Sequence, residues 1–569
     1  SRNLKGSDKT ETRIKNSSDS SNSSDKSDSS DDGEDKTTAA HDSDCVNCIG
    51  NGVIDKAESA AAEDSKKSDS RITSSGSKIA DPPEDKGEQS KYVYVKDGRL
   101  FYVPDSNGNT IPDFSRAGYF GGGRKLPLVT GPVVTISPGS GDDGSRIQGA
   151  IDEVSKKPLN DQGIRGIVLL AKGLYKVQGT LKINSSGVIL RGQGQQETGG
   201  SVILATGTSQ RTLLSISGGS NCKEVSGTRR KLVGSYIPVG SKTVTVSDTK
   251  GLSEGDLVVI ERPAPQNWIH DIAMDRIPGA ATQWTEDDYT MSWERYIVKI
   301  EGDKITMDAP VLQAMEEQYG GGFIYRATAS RISQIGIENI RFDSEFKSAD
   351  DENHGWNAIG FGTVQDAWVR DVTCRHYGYA CVSVGGSGKF ITIQDTTSYD
   401  PVSQITGGRR YTFNITGQFI LVQRTKAVNG RHDYVTARKT PGPNVFLDVV
   451  SEQAKSTNGP HHRWGIGGLF DNMVSDGGAE ARDRGASGTG HGWAGAMQVF
   501  WNNKNELLYC QNPPTAMNWA IGCKGNKMDA KDREQCNWDL QDKTATPRSL
   551  YLRQLQDRLG YEAVLNIAK

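Results

Sequence analysis

Ile335-Gly-Ile-Glu-Asn-Ile-Arg-Phe342 is followed by Trp368-Val-Arg-Asp-Val372, Phe390-Ile-Thr-Ile-Gln-Asp395, Phe419-Ile-Leu-Val-Gln-Arg424, Asn444-Val-Phe-Leu-Asp-Val449 and Gly468-Leu-Phe-Asp-Asn472, a series of short β-rich runs that recurs every 22–33 residues. Each period holds one strand pattern, punctuated by Gly, Asn and Asp, with no helical pattern between. That combination specifies a parallel β-helix. One coil cannot bury its own inner face, so coils must stack and share one long core.

Outward from this region the pattern thins but persists. Ile167-Val-Leu-Leu170, Val188-Ile-Leu190 and Val202-Ile-Leu204 are shorter runs of the same kind. A solenoid exposes strand edges at both ends, which must be covered. Ser145-Arg-Ile-Gln148 reads as a capping box, and Ile147, Ala150, Ile151 and Val154 follow at helical spacing, predicting a helix that plugs one end. Thr546-Pro547 opens a second helix over about 547–559, with Leu552, Leu555 and Leu559 on one face and Gly560 as its stop, as a cap for the other end. Residues 236–327 break the coil rhythm. Val244–Asp248, Gly255–Glu261 and Arg295–Met307 predict a small antiparallel β insertion. The fold class expected is all-β.

Residues 1–91 are expected to be a disordered acidic tail, and residues 92–569 one domain. The first 90 residues contain no Phe, Trp or Tyr and are rich in Ser and Asp, too little apolar surface to offset the entropy of ordering. They hold 13 Lys and Arg against 20 Asp and Glu, a charge of −7; the whole chain carries −3, so the remainder carries +4. A mildly basic body suits a polyanionic ligand and is far from the charge of a nucleic-acid-binding domain. No run of about 18 apolar residues occurs, so no membrane span is expected. A start at Ser1 without Met is the expectation for a processed or truncated chain. Sequons at Asn16, Asn22, Asn184 and Asn414 permit glycosylation in a secreted protein. Cys374 with Cys381, and Cys510 with Cys523 or Cys536, are candidate local disulfides; Cys45 and Cys48 lack the second pair that a zinc site needs. Asp105–Asp113 has the look of a calcium loop but has neither the central Gly nor the closing Glu, and reads as a turn.

Asp113-Phe-Ser-Arg-Ala-Gly-Tyr-Phe-Gly-Gly-Gly123, followed by Asp142-Asp-Gly-Ser-Arg-Ile-Gln-Gly-Ala-Ile-Asp152, resembles the opening segment of pectate lyase-like right-handed parallel β-helix proteins. The blocks Gly430–Thr436, Pro441–Phe446, Gly459–Trp464, Gly490–Gly495 and Asn518–Cys523 are similar to a poorly characterised branch of that superfamily. The resemblance implies a secreted, extracellular or cell-wall-associated carbohydrate-active protein. It transfers no residue role.

The residues themselves point to a site. Arg431-His432-Asp433, His461-His462-Arg463 and His491 lie about one coil apart and are expected to share one stripe, with His376, Arg482 and Arg484 nearby. β-Elimination from a uronic-acid polymer needs a general base for the C5 proton and a cation that neutralises the neighbouring carboxylate. Histidine supplies the first near neutral pH and arginine the second. The expected catalytic set is therefore His432, His462, Arg431, Asp433, His461, Arg463 and His491, with Asp433 orienting a histidine. Trp464, Trp493, Arg438 and Lys439 are the expected substrate-binding residues, the tryptophans by stacking on sugar faces. Calcium is the candidate cofactor, with no ligand set defined; the oligomeric state is left open. Two alternatives stand beside the lyase: a non-catalytic wall or matrix protein binding polysaccharide, and a glycoside hydrolase using Asp366 with Asp371, Asp395 with Asp400, or Asp448 with Asp471.

Overall fold

A computed structural model describes residues 86–568. Its body is a right-handed parallel β-helix. The runs at Ile335–Ser344, Gln365–Arg375 and Lys389–Tyr399 pair in parallel, coil upon coil, and the ladder continues through Leu421–Gln423, Asn444–Leu447, Gly468–Asp471, Val499–Trp501, Trp519–Ile521 and Asn537–Asp539. Upstream it takes in Val133–Ile136, Gly166–Leu170 and Val188–Arg191. A second parallel face follows through Lys426–Val428 and Val450–Glu452. A third contains Arg211–Ile216, Gly355–Phe361, Ala380–Val384, Phe413–Ile415, Tyr434–Thr436 and Gly459–Pro460.

The turn from first to second face falls at the same register position in seven successive coils. Asn339, Asp371, Asp395, Arg424, Asp448, Asn472 and Asn502 all have φ between 48° and 58° there. Asn and Asp visit this left-handed region at lower cost than other non-glycine residues, which is why the sequence punctuates its runs with them. Inside, side chains stack along the axis: Phe413 on Tyr434, Phe446 on Phe470, and Phe470 on Phe500, with centroids 4.8–5.4 Å apart. Where a coil turns without a strand partner, buried amides satisfy the backbone. Asn444 accepts from Ile420 N and donates to Gly417 O; Asn458 accepts from Tyr434 N and donates to Gly478 O.

The helix Gly144–Ser155 buries Ile147, Ala150, Ile151 and Val154 in the solenoid core and closes the N-terminal end. Its start differs from the predicted capping box. Asp143 is the N-cap, and Gln148 bridges to Lys182 on the strand Leu181–Ile183 instead of reaching back. At the far end, the Cys510–Cys536 disulfide and Trp538 lie over the last coil. Cys374–Cys381 is the second disulfide; Cys523 is free and buried.

The C-terminal helix is a pair, Leu550–Leu559 and Tyr561–Ile567. It lies along the flank of the coils: Asp471 accepts from Ser549 and Tyr551 N, and Arg424 donates to Ile567 O. Against this flank pack the hairpin Val93–Tyr102, through Arg99 to Asp557, and the segment around Phe114. The Asp105 loop is a turn, its carboxylate accepting from Asn107 N and Asn109. The expected tail boundary at 91 moves to the left. Glu88–Gln89 pairs with Ala545–Thr546, and Ser90 donates to Asp539, because the last coil offers an open edge there. The rest of the predicted tail, with Cys45, Cys48, Asn16 and Asn22, lies outside the described residues. Asn184 is exposed; Asn414 is only 8 % exposed, with its amide donating to Ser383.

An antiparallel sheet is inserted between coils and is formed by strands from Lys223–Glu224 to Phe323–Thr328, so it recruits two strands upstream of residue 236. An arm of this insertion, around Trp268, Met274 and Trp284, folds back onto the coils. Among the described residues no helix is long and apolar enough to cross a membrane.

Candidate functional site

The third face carries the site. His432 precedes Tyr434–Thr436, and His461 and His462 follow Gly459–Pro460 one coil later. His491 arrives on the next turn, its carbonyl accepting from Arg463 N. Stacking brings the four imidazoles together: His432–His461, His461–His462, His461–His491 and His462–His491 centroids are 4.8–5.1 Å apart.

Their hydrogen bonds restrict their tautomers. His432 Nδ1 lies 2.5 Å from Thr457 O, which can only accept, so Nδ1 carries the proton. His432 Nε2 is then a buried lone pair, and no protein group among the described residues meets it; His491 Nδ1 is a second such atom. Tyr411 Oη is 2.9 Å from His461 Nε2, and the Nδ1 atoms of His461 and His462 are 2.8 Å apart. A neutral imidazole carries one N–H, so Tyr411, His461 and His462 form a directional chain.

Burial, then the charges of Arg431 and Arg484, push His432 down to about 3. Burial, then Arg484 and Arg463, do the same to His491. His461 and His462 are likewise held well below the ordinary histidine range by burial first. All four are neutral at pH 7. Glu480 is the buried counter-charge. Burial raises its pKa, but Arg484 and Arg482 outweigh that and hold it at about 2.

The predicted set is therefore gathered in part. His432, His461, His462 and His491 converge, with Arg431 beside His432 and Arg463 anchored on Thr489 and Gly490 O. Asp433 does not orient a histidine. It is fully buried, accepts from Thr412 and Ser451, and is pushed up to about 6 by that burial. Trp464 and Trp493 are 0 % and 2 % exposed and offer no face to a sugar. Trp464 packs against Trp268 and Trp284, and Trp493 donates to Ile272 O, so both hold the insertion's arm to the coils. His376 stands apart, at a left-handed turn against Phe346. Arg438 and Lys439 lie one turn away, Arg438 paired with Asp288 at 2.5 Å. The Asp pairs belong to the scaffold: Asp366, Asp371, Asp395, Asp400 and Asp448 occupy left-handed turns, and Asp471 receives the C-terminal helix.

Two solvent-reaching aromatic residues and a buried third behind them escaped the sequence reading. Trp356, Tyr379 and Tyr411 open the third face in successive coils, with Trp356–Tyr379 and Tyr379–Tyr411 centroids 6.3 and 5.1 Å apart. Tyr411 touches His432 and His461, so the row runs into the histidines. Trp356, Tyr379, His462 and His491 are half-buried and reach solvent. Their signal was an aromatic residue at the start of this strand in each coil, hidden by irregular coil lengths. Among the described residues no group of three or more His, Cys, Asp or Glu is placed to hold a metal ion, so calcium is assigned no site.

No protein-family model and no curated protein matches the chain. Among the solved structures to which it is similar are phage tailspikes. The Pseudomonas phage LKA1 tailspike gp49 is 12 % identical, covering 68 % of this chain and 69 % of that one, with a TM-score of 0.31. The tailspike of E. coli bacteriophage HK620, solved with a pentasaccharide, is 10 % identical over 69 % and 55 % of the chains, at 0.37. Gp54 of Acinetobacter baumannii bacteriophage AP22, in complex with A. baumannii capsular saccharide, is 10 % identical over 72 % and 73 %, at 0.24. The β-helix assignment rests on strand register, independent of these likenesses.

Proposed function

We propose that this protein acts outside the cell as a polysaccharide lyase, binding an acidic polysaccharide along its third face and cleaving it by β-elimination. The observation that carries this reading is the half-buried pair Trp356–Tyr379, continued inward by the buried Tyr411 to four neutral, arginine-flanked histidines. Sugar rings present apolar C–H faces that pack on aromatic rings, and a row along the axis suits an extended chain. At its end, the charges of Arg431, Arg463 and Arg484 favour a carboxylate. Burial first, and then these charges, keep the imidazoles unprotonated; a bound carboxylate offsets the charges and raises imidazole basicity where a proton must be taken. His462 and His491 reach solvent and are the proposed bases. Tyr411 and His461 position His462.

The test is incubation with a panel of uronic-acid polysaccharides, following absorbance from unsaturated products. His462→Ala should lower turnover of the cleaved polymer about 10²–10⁴-fold, the usual contribution of a general base, with Tm nearly unchanged. Binding without product from any polymer would replace the lyase by the non-catalytic matrix protein.

A further inference from the structure

A cleft of about 600 Å³ separates the antiparallel insertion from the coil turns at Gly386, Thr416 and Lys439. It is lined mainly by polar groups, among them Thr290, Ser292, Thr416 and Gln418. Its floor holds Glu294, whose single negative charge is met by two cations. Arg331 Nη1 lies 3.0 Å and Lys389 Nζ 3.1 Å from the same carboxylate oxygen. Arg438 at the rim is matched by Asp288. Glu224, also in the lining, is matched by Arg229, so among the described charged groups of the lining Lys439 is the one left over. It is half-buried, and its ammonium has no ion-pair or hydrogen-bonding partner among the described residues. A desolvated lysine without a counter-ion is costly unless a ligand supplies one. The cleft's edge is one backbone contact from the histidine site: Lys439 N donates to Arg463 O at 3.0 Å.

We propose that this cleft is a second subsite, which takes one carboxylate-bearing sugar of the acidic polysaccharide and pairs its carboxylate with Lys439. The inference rests on the proposed function and extends it from the third face to the wall built by the insertion. The hydroxyls of Thr290 and Ser292, and the Thr416 oxygen whose own proton goes to Val384 O, face a sugar's hydroxyls, while the Gln418 amide is held by Glu294 N and the Glu294 carboxylate.

Two readouts test it on the full chain. The first is calorimetric binding of a trigalacturonate and of its methyl ester. Lys439→Met should weaken the acid about tenfold, the worth of one charge-assisted hydrogen bond, and leave the ester unchanged. The second uses Cys222, a half-buried free thiol in the cleft lining. Its alkylation by iodoacetamide, followed by peptide mapping to separate it from other cysteines, should slow when trigalacturonate is present. Unchanged affinity in Lys439→Met, with binding still lost in Tyr379→Ala, would overturn the subsite and leave the proposed function standing. Protection of Cys222 without any lyase product would support the subsite and sink the lyase. No protection of Cys222 at saturating trigalacturonate would overturn the subsite outright.

Discussion

At the scale of single residues, identity and burial together decide which polar groups can act. The four histidines were legible as a stripe because coil periodicity places residues one period apart on one face. Their protonation was not, since it depends on how deeply each ring sits and which arginines surround it. A group whose folded pKa is depressed binds fewer protons native than unfolded, so its stabilising contribution is full above the unfolded value near 6.5 and is lost as pH falls toward about 3. Asp366, Asp433 and Asp471, raised to about 6, 6 and 7 by burial first, act in the opposite sense over roughly pH 4–7. Denaturant melts between pH 7 and 4 separate the two. His432→Gln keeps a donor for Thr457 O but cannot protonate, and should remove about 1.4 kcal/mol per pH unit from the slope below 6.5. An unchanged slope would mean that His432 is already charged in the native state.

At the scale of elements, the strands were readable and the turns only half so. Runs such as Phe390–Asp395 announce both a strand and the left-handed residue that ends it. The same chemistry misled the search for a hydrolase, because an Asp that fits a turn is indistinguishable in sequence from an Asp that waits in a cleft. Trp464 and Trp493 misled in the same way. Tryptophan covers either a sugar or an inserted arm, and only the arm's path shows which. Buried asparagines are the counterpart to the turns. Asn458 links Tyr434 N, Ser475 Oγ and Gly478 O across coils. Asn458→Ala should cost about 1–3 kcal/mol by leaving buried backbone groups unpaired, measured by chemical denaturation, while oligosaccharide binding at Trp356 and Tyr379 is retained. A neutral effect would show that water replaces the amide.

At the scale of the whole molecule, periodicity disclosed the solenoid and its N-terminal plug. It could not disclose what lies along the flank, because packing between segments hundreds of residues apart leaves no local pattern. The insertion's wall, the helix pair and the Val93–Tyr102 hairpin are of this kind. One prediction belongs here. A chain begun at Tyr92 loses the pairing of Glu88–Gln89 with Ala545–Thr546 and the bonds of Ser90 and Lys91 to Asp539. Calorimetry should find its Tm a few degrees below that of a chain begun at Lys86; equal values would make this strand a passive attachment. The same closure sets an order in time. Glu88 meets Lys543, 455 positions later. On a ribosome adding about 5–20 residues per second, the interval is roughly 20–90 s. Through that interval the coils can stack as they emerge, while the early hairpin waits with its apolar side uncovered. The clasp and the helix pair arrive at the end of synthesis, so a nascent chain stalled before Ala545 carries a nearly finished solenoid and an unsheltered hairpin, the state in which a chaperone would find it.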